Sequence, residues 1–367
     1  TNDEERQTDV MPPLSPNLSP AALVSVLNEL QAIAAQRPVG VPLHLSFDSE
    51  GGVSGDILRG GYPMFPAMMG LAAADDDGLV TRVARAIARL HRASGMHFMH
   101  SPVLDVNVDP RNPEINVRAF GDTVEKVSRL GRAFLRGLTE GGIAATAKHF
   151  PGRGDSAVDA HYELPVCPAD ADAMQNIHLA PYRDLIREGL PAIMLAHTLY
   201  PGLGDDKLPA TVSKRIVQGV IRDELGFDGV VTTDSITMEG ILKIYPAEEA
   251  TARAIEAGVD LVLFKNEDLD LCRQAVDTVV RFVEEGTIPA EQLDTSVARI
   301  LTLKERFGLL DTEGRVDPAA VRGTIDDAAI NALATEAAGR ATLLLRDRTG
   351  ALPIARSAKV LVVEQSM

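Results

Sequence analysis

The sequence contains no tryptophan and only two cysteines, Cys167 and Cys272, among its 367 residues. Two cysteines form neither a disulfide framework nor a cysteine-rich metal cluster, and a chain of this length can bury a sufficient core without either. No apolar run reaches the ~18–20 residues that a membrane-spanning helix requires, and no secretory signal peptide is recognisable. These absences predict no membrane span, and they slightly favour a cytoplasmic protein over an exported one.

An excess of positive charge is also absent. The chain carries 36 Lys and Arg against 52 Asp and Glu, which gives a formal net charge of −16. This acidic balance argues against a polyanion such as nucleic acid as the partner. The other proportions, 45% hydrophobic and 24% charged, are those of an ordinary globular protein. The length indicates one large domain or two of medium size.

The two ends of the chain differ from its middle. Residues 1–20 include the stretch MPPLSPNLSP and are predicted to be a linker or loop. Residues 21–335 are predicted to form the main domain. Residues 336–367 contain two apolar runs, Ala341–Leu345 and Lys359–Val363, which are predicted to begin a second α/β domain.

Within the main domain, short apolar runs alternate with segments of helical spacing. The predicted strands are Val41–Asp48, Met96–Val103, Ile143–Phe150, Pro191–His197, Gly229–Asp234 and Val259–Phe264. The predicted helical segments are Ala21–Gln36, Asp77–Ser94, Thr123–Gly141 and Ser213–Leu225. Alternation of buried strands with helices is typical of α/β proteins that have a parallel sheet.

Polar residues end nearly every predicted strand, at Asp48, His100, Lys148 with His149, His197, Asp234 and Lys265. In a (β/α) barrel these ends share one mouth, where the chemistry lies. In an open doubly wound sheet they would gather mainly at one switch point. The spread favours a (β/α)8 TIM-like barrel. Only six strands are recognisable, so the barrel is predicted to lack its first strands or to be irregular there.

The densest chemical signal is the segment 148–165, which reads KHFPGRGDSAVDAHYELP. Lys148 and His149 end a strand, so their side chains are expected in the barrel mouth. Asp159 and His161 follow on a loop after a glycine-rich turn. A carboxylate beside an imidazole orients the ring and raises its basicity, which suits a proton shuttle. From spacing alone, a solvated Asp–His pair on the surface is an equal alternative.

Three further segments place polar residues at strand ends or in loops. Asp234 closes the run GVVTTD, where a buried carboxylate needs a partner or else caps the following helix. Asp48 lies in FDSEGG and could accept hydrogen bonds from hydroxyl groups. Arg118 lies in the loop NPEINVRAFG. A loop carboxylate and a solvated charge are the alternatives for the last two residues.

These four segments, in this order, resemble glycoside hydrolase family 3, and most closely its branch of bacterial β-N-acetylglucosaminidases. The branch is recognised by a stretch that here reads KHFPGRG, then DSAV, then DAH. The resemblance extends from about residue 21 to about residue 367. It implies a TIM-like barrel and a retaining exo-β-N-acetylglucosaminidase that forms a covalent glycosyl-enzyme intermediate.

The resemblance also implies a role for each matching residue. Asp234 corresponds to the catalytic nucleophile, His161 to the general acid/base and Asp159 to the partner of that histidine. The residues that correspond to those holding the sugar are Asp48, Arg118, Lys148 and His149. No cofactor and no metal is implied, and the expected partner is a small carbohydrate, such as a GlcNAc-containing glycoside or a fragment of cell wall or chitin.

Two departures from the family pattern stand inside the densest segment. Arg153 replaces the usual histidine between the glycines, and Ala160 replaces the usual serine. The family's β-glucosidases take a glutamate acid/base from a second domain, so the Asp-x-His loop is what separates the branches.

Four alternatives remain at the level of sequence. A family 3 β-glucosidase or β-xylosidase is the nearest, and a phosphorylase is related to it, because a histidine acid/base would not repel a phosphate acceptor. A non-catalytic sugar-binding barrel is a third. The fourth, a metal-dependent hydrolase with Lys148, His197 and Asp234 at its strand ends, lacks the expected His-x-His pair. His97 and His100 are three apart and would lie on opposite faces of a strand.

Overall fold

A computed structural model describes residues 19–52, 61–265, 268–348, 350, 352–355 and 358 of the chain. Within these residues, six strands form one parallel sheet in the order of the chain. They are β1 Ser46–Phe47, β2 Phe98–Met99, β3 Ala144–Phe150, β4 Ala192–Leu195, β5 Val230–Ser235 and β6 Leu261–Leu263. All six predicted strands are confirmed in place and order, although most are shorter than predicted.

Among the residues that the structure describes, the sheet curls into a half-barrel that does not close. No described strand pairs with the outer edge of β1 or of β6. The part of the chain that the structure describes therefore forms a half-barrel rather than a full (β/α)8 barrel, whose first strands were predicted to be missing or irregular. The strand order nevertheless has no switch point, because each strand pairs with its neighbour in sequence. The prediction of a barrel-type sheet over a doubly wound one is therefore confirmed.

Helices connect the strands and cover the sheet. They are α1 Pro20–Ala35, α2 Met68–Ala73, α3 Asp77–Ala93, α4 Val124–Glu140, α5 Ala171–Ala173, α6 Ala180–Arg187, α7 Glu239–Leu242, α8 Ala247–Ala257, α9 Leu269–Glu284, α10 Ala290–Arg306, α11 Ala320–Ile325 and α12 Ala328–Ala341. Two further segments, Met174–His178 and Arg215–Glu224, are π-helical. The four predicted helical segments are thus all helical, the last as a π-helix.

Several helices begin where a short polar side chain can cap them. The side chains of Ser19, Asp76 and Thr123 accept hydrogen bonds from backbone N–H groups in the first turns of α1, α3 and α4. Such caps satisfy donors that have no partner inside the helix, and each is worth about 1 kcal/mol. They explain why these helices begin where the apolar periodicity begins.

Helices α3 and α4 pack closely against each other beside β3, all seven residues of which are buried. The close approach depends on Gly137, because a Cβ atom there would lie 2.4 Å from the carbonyl oxygen of Thr81. The Thr81 hydroxyl donates to the carbonyl of Ala133 across the same interface, at 3.0 Å. This packing supports β3, which contains Lys148 and His149 near its carboxyl end.

The C-terminal part departs from the prediction. Helix α12 runs through position 336, the predicted domain boundary, and ends at Ala341. It is joined to α3 by an ion pair between Arg82 and Glu336, at 2.6 Å. The predicted strand Ala341–Leu345 is wrong: residues 342–345 have no strand partner among the described residues, and the Leu345 side chain is 91% exposed. An apolar run without a neighbouring strand has no ladder to join.

Two predicted segments lie outside the described residues, namely Lys359–Val363 and nearly all of the linker at residues 1–20. The division into a main domain and a second domain therefore stays a prediction. Among the helices that the structure describes, none combines the length and the apolarity needed to cross a bilayer.

Candidate active site

A cavity of about 520 Å³ opens at the carboxyl ends of the strands. Its volume is within the ~300–1,000 Å³ typical of small-molecule sites. Six of the seven predicted site residues line it, namely Asp48, Arg118, Lys148, His149, His161 and Asp234. The seventh, Asp159, is hydrogen-bonded to His161. The polar strand ends thus converge as the barrel prediction requires.

Lys148 lies at the floor of this cavity between two carboxylates. Its side chain is only 3% exposed, and Nζ is 2.5 Å from Oδ1 of Asp48 and 2.6 Å from Oε1 of Glu50. Burial lowers the pKa of Lys148, but the two carboxylates outweigh it and the net shift is upward. Lys148 is therefore a buried cation. The Asp48 side chain remains half exposed, so it is accessible to a ligand.

Arg118 and His149 form a second polar group beside it. The Arg118 guanidinium donates to both Glu50 oxygens, at 2.6 and 3.0 Å, and its Nη2 lies 3.1 Å from His149 Nε2. Because a guanidinium can only donate, His149 Nε2 accepts, and its Nδ1–H donates to Asp105 at 2.8 Å. Burial and then the nearby cations hold the pKa of His149 well below its usual value. His149 is therefore neutral.

Asp234 occupies the carboxyl end of β5. Its Oδ1 accepts the N–H of Ser235, and its Oδ2 lies 3.8 Å from Arg153 Nη2 and 4.0 Å from His149 Nε2. Burial alone would raise the pKa of Asp234, but Arg153, then His197 and Lys148, outweigh it and bring the pKa to about 2. Asp234 is consequently an ionised carboxylate in the cavity wall, the state that a nucleophile needs.

Asp159 and His161 form a pair on the loop that follows β3. The imidazole Nδ1–H and the backbone N–H of His161 both donate to Asp159 Oδ1, at 2.8 and 2.9 Å. The bond to Asp159 raises the pKa of His161, burial opposes the shift, and Glu114 adds to it. Since Nδ1 is directed to Asp159, Nε2 is the nitrogen left for proton exchange. His161 also lines the cavity, and its side chain is about half exposed.

A buried ion pair holds this loop in place. Arg153 Nη2 forms an ion pair with Glu114 Oε1 at 2.5 Å, and Glu114 Oε2 accepts a hydrogen bond from the backbone N–H of Ala160 at 3.3 Å. Its Oε1 is also 3.6 Å from His161 Nδ1. Arg153 and Glu114 are almost fully buried, so each charge needs compensation, and each is the nearest opposite charge to the other. Gly154 permits the turn, because a Cβ atom there would lie 1.9 Å from the carbonyl oxygen of Val106.

Four charged residues of this site were not among the predicted ones, namely Glu50, Asp105, Glu114 and Arg153. Each is buried and paired with a residue that was predicted or with another of the four. Two of them could have been found by their closeness in sequence to predicted residues. Glu50 is two residues after Asp48, and Glu114 is four residues before Arg118. Arg153 stood out only as a departure from the family pattern.

Two groups of described side chains bring potential metal ligands together, namely Glu114 with Asp159 and His161, and Asp155 with Cys167 and His178. The first includes both members of the Asp159–His161 pair. The structure does not support the alternative of a metal centre at Lys148, His197 and Asp234. Both nitrogens of His197 are hydrogen-bonded to the protein, one to Thr211 Oγ1 at 2.7 Å and the other to the Ser235 carbonyl at 2.8 Å.

A curved parallel sheet with polar side chains converging at its carboxyl edge defines an α/β enzyme of the barrel type. Within that class, the chain belongs to glycoside hydrolase family 3, since the profile described as the glycosyl hydrolase family 3 N terminal domain matches residues 11–303. The resemblance inferred from the sequence motifs is thereby confirmed.

Named relatives agree with this membership. The chain is 34% identical to a β-hexosaminidase A of Pseudoalteromonas piscicida over 78% of this chain and 51% of the relative. It is also 34% identical to a β-N-acetylglucosaminidase/β-glucosidase of Cellulomonas fimi, over 88% of this chain and 57% of the relative. The chain thus spans about half the length of these relatives.

A solved structure gives the same result. The family 3 β-N-acetylglucosaminidase of Paenibacillus sp. strain FPU-7 superposes with a TM-score of 0.81 at 36% identity. The superposition covers 93% of this chain and 65% of the Paenibacillus chain. The half-barrel is therefore part of a fold that occurs in a longer enzyme.

Proposed function

We propose that this chain is the catalytic part of a retaining exo-β-N-acetylglucosaminidase, which releases terminal β-linked GlcNAc from small glycosides or from cell-wall or chitin fragments. The observation that carries the proposal is that an ionised Asp234 and the Asp159-bound His161 line the same cavity. The relatives named β-hexosaminidase and β-N-acetylglucosaminidase support the choice of sugar.

The reaction proceeds in two steps. Asp234 attacks the anomeric carbon, the bond to the leaving oxygen breaks, and His161 Nε2–H protonates that oxygen. In the second step water attacks the anomeric carbon, His161 accepts the water proton, and the bond to Asp234 breaks. Most glycosidases use two carboxylates for this cycle. The depressed pKa of Asp234 and the raised pKa of His161 keep the two groups in the states that the first step needs.

Four residues are assigned to the bound sugar. Asp48 and Lys148 form a charged pair in the cavity wall, and the exposed part of Asp48 accepts hydrogen bonds from ring hydroxyls. Arg118 and neutral His149 stand next to that pair. Arg118 donates mainly to Glu50, so its role is to hold His149 and Glu50 as much as to contact the ligand.

The proposed catalytic domain is a complete (β/α)8 barrel. The strand order and curvature of the six-stranded sheet support a (β/α)8 barrel as the architecture of the whole catalytic domain. The candidate nucleophile and acid/base both come from residues 148–235 of that sheet and its loops, so a second domain would not be needed to supply an acid.

The test is a panel of aryl β-glycosides of GlcNAc, GalNAc, glucose and xylose, each assayed with and without phosphate. The highest kcat/KM is expected for GlcNAc, with free sugar as product in both conditions and the β-anomer appearing first by NMR. Preference for glucose or xylose would show that the enzyme is instead a β-glucosidase or a β-xylosidase. The Cellulomonas relative is named for both β-N-acetylglucosaminidase and β-glucosidase activity. Formation of a glycosyl phosphate would make the enzyme a phosphorylase.

A further inference from the structure

Three side chains outside the cavity converge at the base of the loop that carries Asp159 and His161. Cys167 Sγ is 3.3 Å from Asp155 Oδ1, and His178 Nε2 is 3.3 Å from Asp155 Oδ2. A thioether joins them, since Met174 Sδ is 3.6 Å from Cys167 Sγ. Carboxylate, thiol, imidazole and thioether thus meet in one place, and the proposed reaction uses none of them.

These four residues come from three segments whose backbones are fixed independently. Asp155 follows the turn after β3, and Cys167 donates its N–H to the carbonyl of Leu199, at 2.9 Å. Met174 and His178 lie on one π-helical segment. Cys167, Met174 and His178 are at most 1% exposed. The cluster is therefore preorganised and shielded from solvent.

Three separations between donor atoms have the length of an edge of a tetrahedral metal site, and Asp155 contributes Oδ1 to one of them and Oδ2 to another. Zinc binds nitrogen and oxygen at ~2.0–2.2 Å and sulfur at ~2.3 Å, and the edge of a tetrahedron with such bonds is ~3.3–3.8 Å. The three separations given above lie between 3.3 and 3.6 Å. The ligand atoms of Asp155, Cys167 and His178 all lie within 4.8 Å of one another.

We propose that Asp155, Cys167 and His178, with Met174 beside them, bind a thiophilic divalent cation of the Zn²⁺ class. Thiolate and imidazole are the ligands that zinc selects, and a thioether adds further softness. The charges also balance, because a carboxylate and a thiolate together neutralise a dication. This site is separate from the cavity and does not depend on the proposed glycosidase activity.

Metal binding at this site is coupled to loss of a proton. In the metal-free site the Cys167 thiol donates a hydrogen bond to Asp155 Oδ1 at 3.3 Å. A metal-bound thiol is deprotonated. The cation therefore displaces about one proton to solvent, and affinity rises with pH.

A cation at this site would lie at the base of the loop that carries Asp159 and His161. Asp155 and Cys167 flank residues 156–166, the segment that contains Asp159 and His161. A shared cation would tie the two ends of this segment to each other and to the π-helical turn. The cation would thus fix the base of the loop without contacting the reacting atoms.

The test uses the full chain after treatment with chelator and gel filtration. Calorimetric titration with ZnCl₂ is expected to show one saturable site, whose enthalpy depends on buffer ionisation because a proton is released. Loading with Co²⁺ is expected to give the intense near-ultraviolet charge-transfer band of a thiolate–cobalt bond. Cys167→Ser should reduce Zn²⁺ affinity by at least about tenfold, on the scale of altered metal shells, and should abolish the band.

Cys272→Ser is the matched control, because it removes the other thiol and should leave the affinity and the band unchanged. A chain that binds no Zn²⁺ with saturation would overturn the proposal. So would binding that survives Cys167→Ser but is lost in His161→Ala, since the cation would then lie at Glu114, Asp159 and His161. If Cys167→Ser does not fold, the Co²⁺ spectrum of the unaltered chain decides, and absence of the thiolate band refutes the site.

Discussion

Arg153 Nη2 lies 3.8 Å from Oδ2 of Asp234, at a fully buried position beside the candidate nucleophile. The same guanidinium is 2.5 Å from Glu114, which is 3.6 Å from the imidazole of His161. One continuous line of charges therefore connects the two candidate catalytic groups. Arg153 is the residue at which the glycine-rich turn departs from the family pattern described above.

Arg153→Met should shift the acid limb of the kcat/KM profile to higher pH. Arg153 is the strongest of the charges that depress the pKa of Asp234, so its removal raises that pKa and protonates the nucleophile at a higher pH. The profile is measured with an aryl GlcNAc substrate between pH 3 and 9. An unchanged acid limb would mean that Arg153 does not control Asp234. Arg111→Met, which alters an exposed arginine, is the control.

The same substitution should also cost stability, because it removes the cation nearest to the buried Glu114 carboxylate and leaves only the more distant Arg118, at 3.8 Å. Breaking a buried ion pair on one side typically costs about 3–5 kcal/mol. The double variant Arg153→Met with Glu114→Gln should regain much of that loss, since the uncompensated charge is removed. Urea unfolding of the four proteins gives the double-mutant cycle. Strict additivity would show that the two side chains do not interact.

Asp234→Ala should reduce kcat on the order of 10⁴-fold or more, the scale for loss of a residue that forms the covalent intermediate. The fold should be retained, because Asp234 is at a strand end and its side chain faces the cavity. A 2-fluoro glycosyl fluoride should label Asp234 in the unaltered protein, as peptide mass spectrometry can show. Label on a different carboxylate would contradict the assignment. The exposed Asp206→Ala serves as control.

His161→Ala should affect substrates according to their leaving groups. A disaccharide needs protonation of its leaving oxygen, so kcat/KM should fall roughly 10²–10⁴-fold, the usual range for general acid catalysis. A dinitrophenyl glycoside leaves almost unaided and should lose much less. The ratio of the two losses is the measured quantity. Equal losses on both substrates would indicate that His161 is a binding residue. That result would favour the β-glucosidase alternative, in which the acid comes from a second domain.

Asp159→Asn should move the alkaline limb of kcat/KM to lower pH. The bond to Asp159 is the main reason that the pKa of His161 is raised, so its weakening lowers that pKa and deprotonates the acid sooner as pH rises. Glu114→Gln should shift the limb in the same direction by a smaller amount, because Glu114 is 3.6 Å away rather than 2.8 Å. A shift in the opposite direction in either variant would refute this account of the pair.

The sequence predicted the strands and the convergence of polar residues well, because both follow from local patterns. Buried strands are continuous apolar runs, and their polar ends meet wherever parallel strands share an edge. The run Ala341–Leu345 was misjudged because the same apolar pattern carries no information about a neighbouring strand. Likewise, the failure of β1 and β6 to meet depends on the whole sheet rather than on either strand.

The buried partners were harder to predict, because their meaning depends on distant residues. The role of Glu50 can be recognised only from its ion pairs with Arg118 and Lys148, which the sequence does not show. Glu114 and Arg153 are 39 positions apart along the chain and form a pair only after β3 and its loop are placed. A single sequence gives the identity of each charge but not the separation between charges.

The two ends of the segment that carries Asp159 and His161 lie side by side, since Asp155 and Cys167 are in contact at 3.3 Å. A peptide whose ends are already adjacent can change in length at little entropic cost, because closing a longer loop adds only slowly to the free energy. Residues 156–166 therefore form an exchangeable cassette. Grafting the corresponding segment of another family member between Asp155 and Cys167 would transplant the proposed acid/base, and with it a leaving-group preference, while the sheet and the proposed nucleophile remain in place.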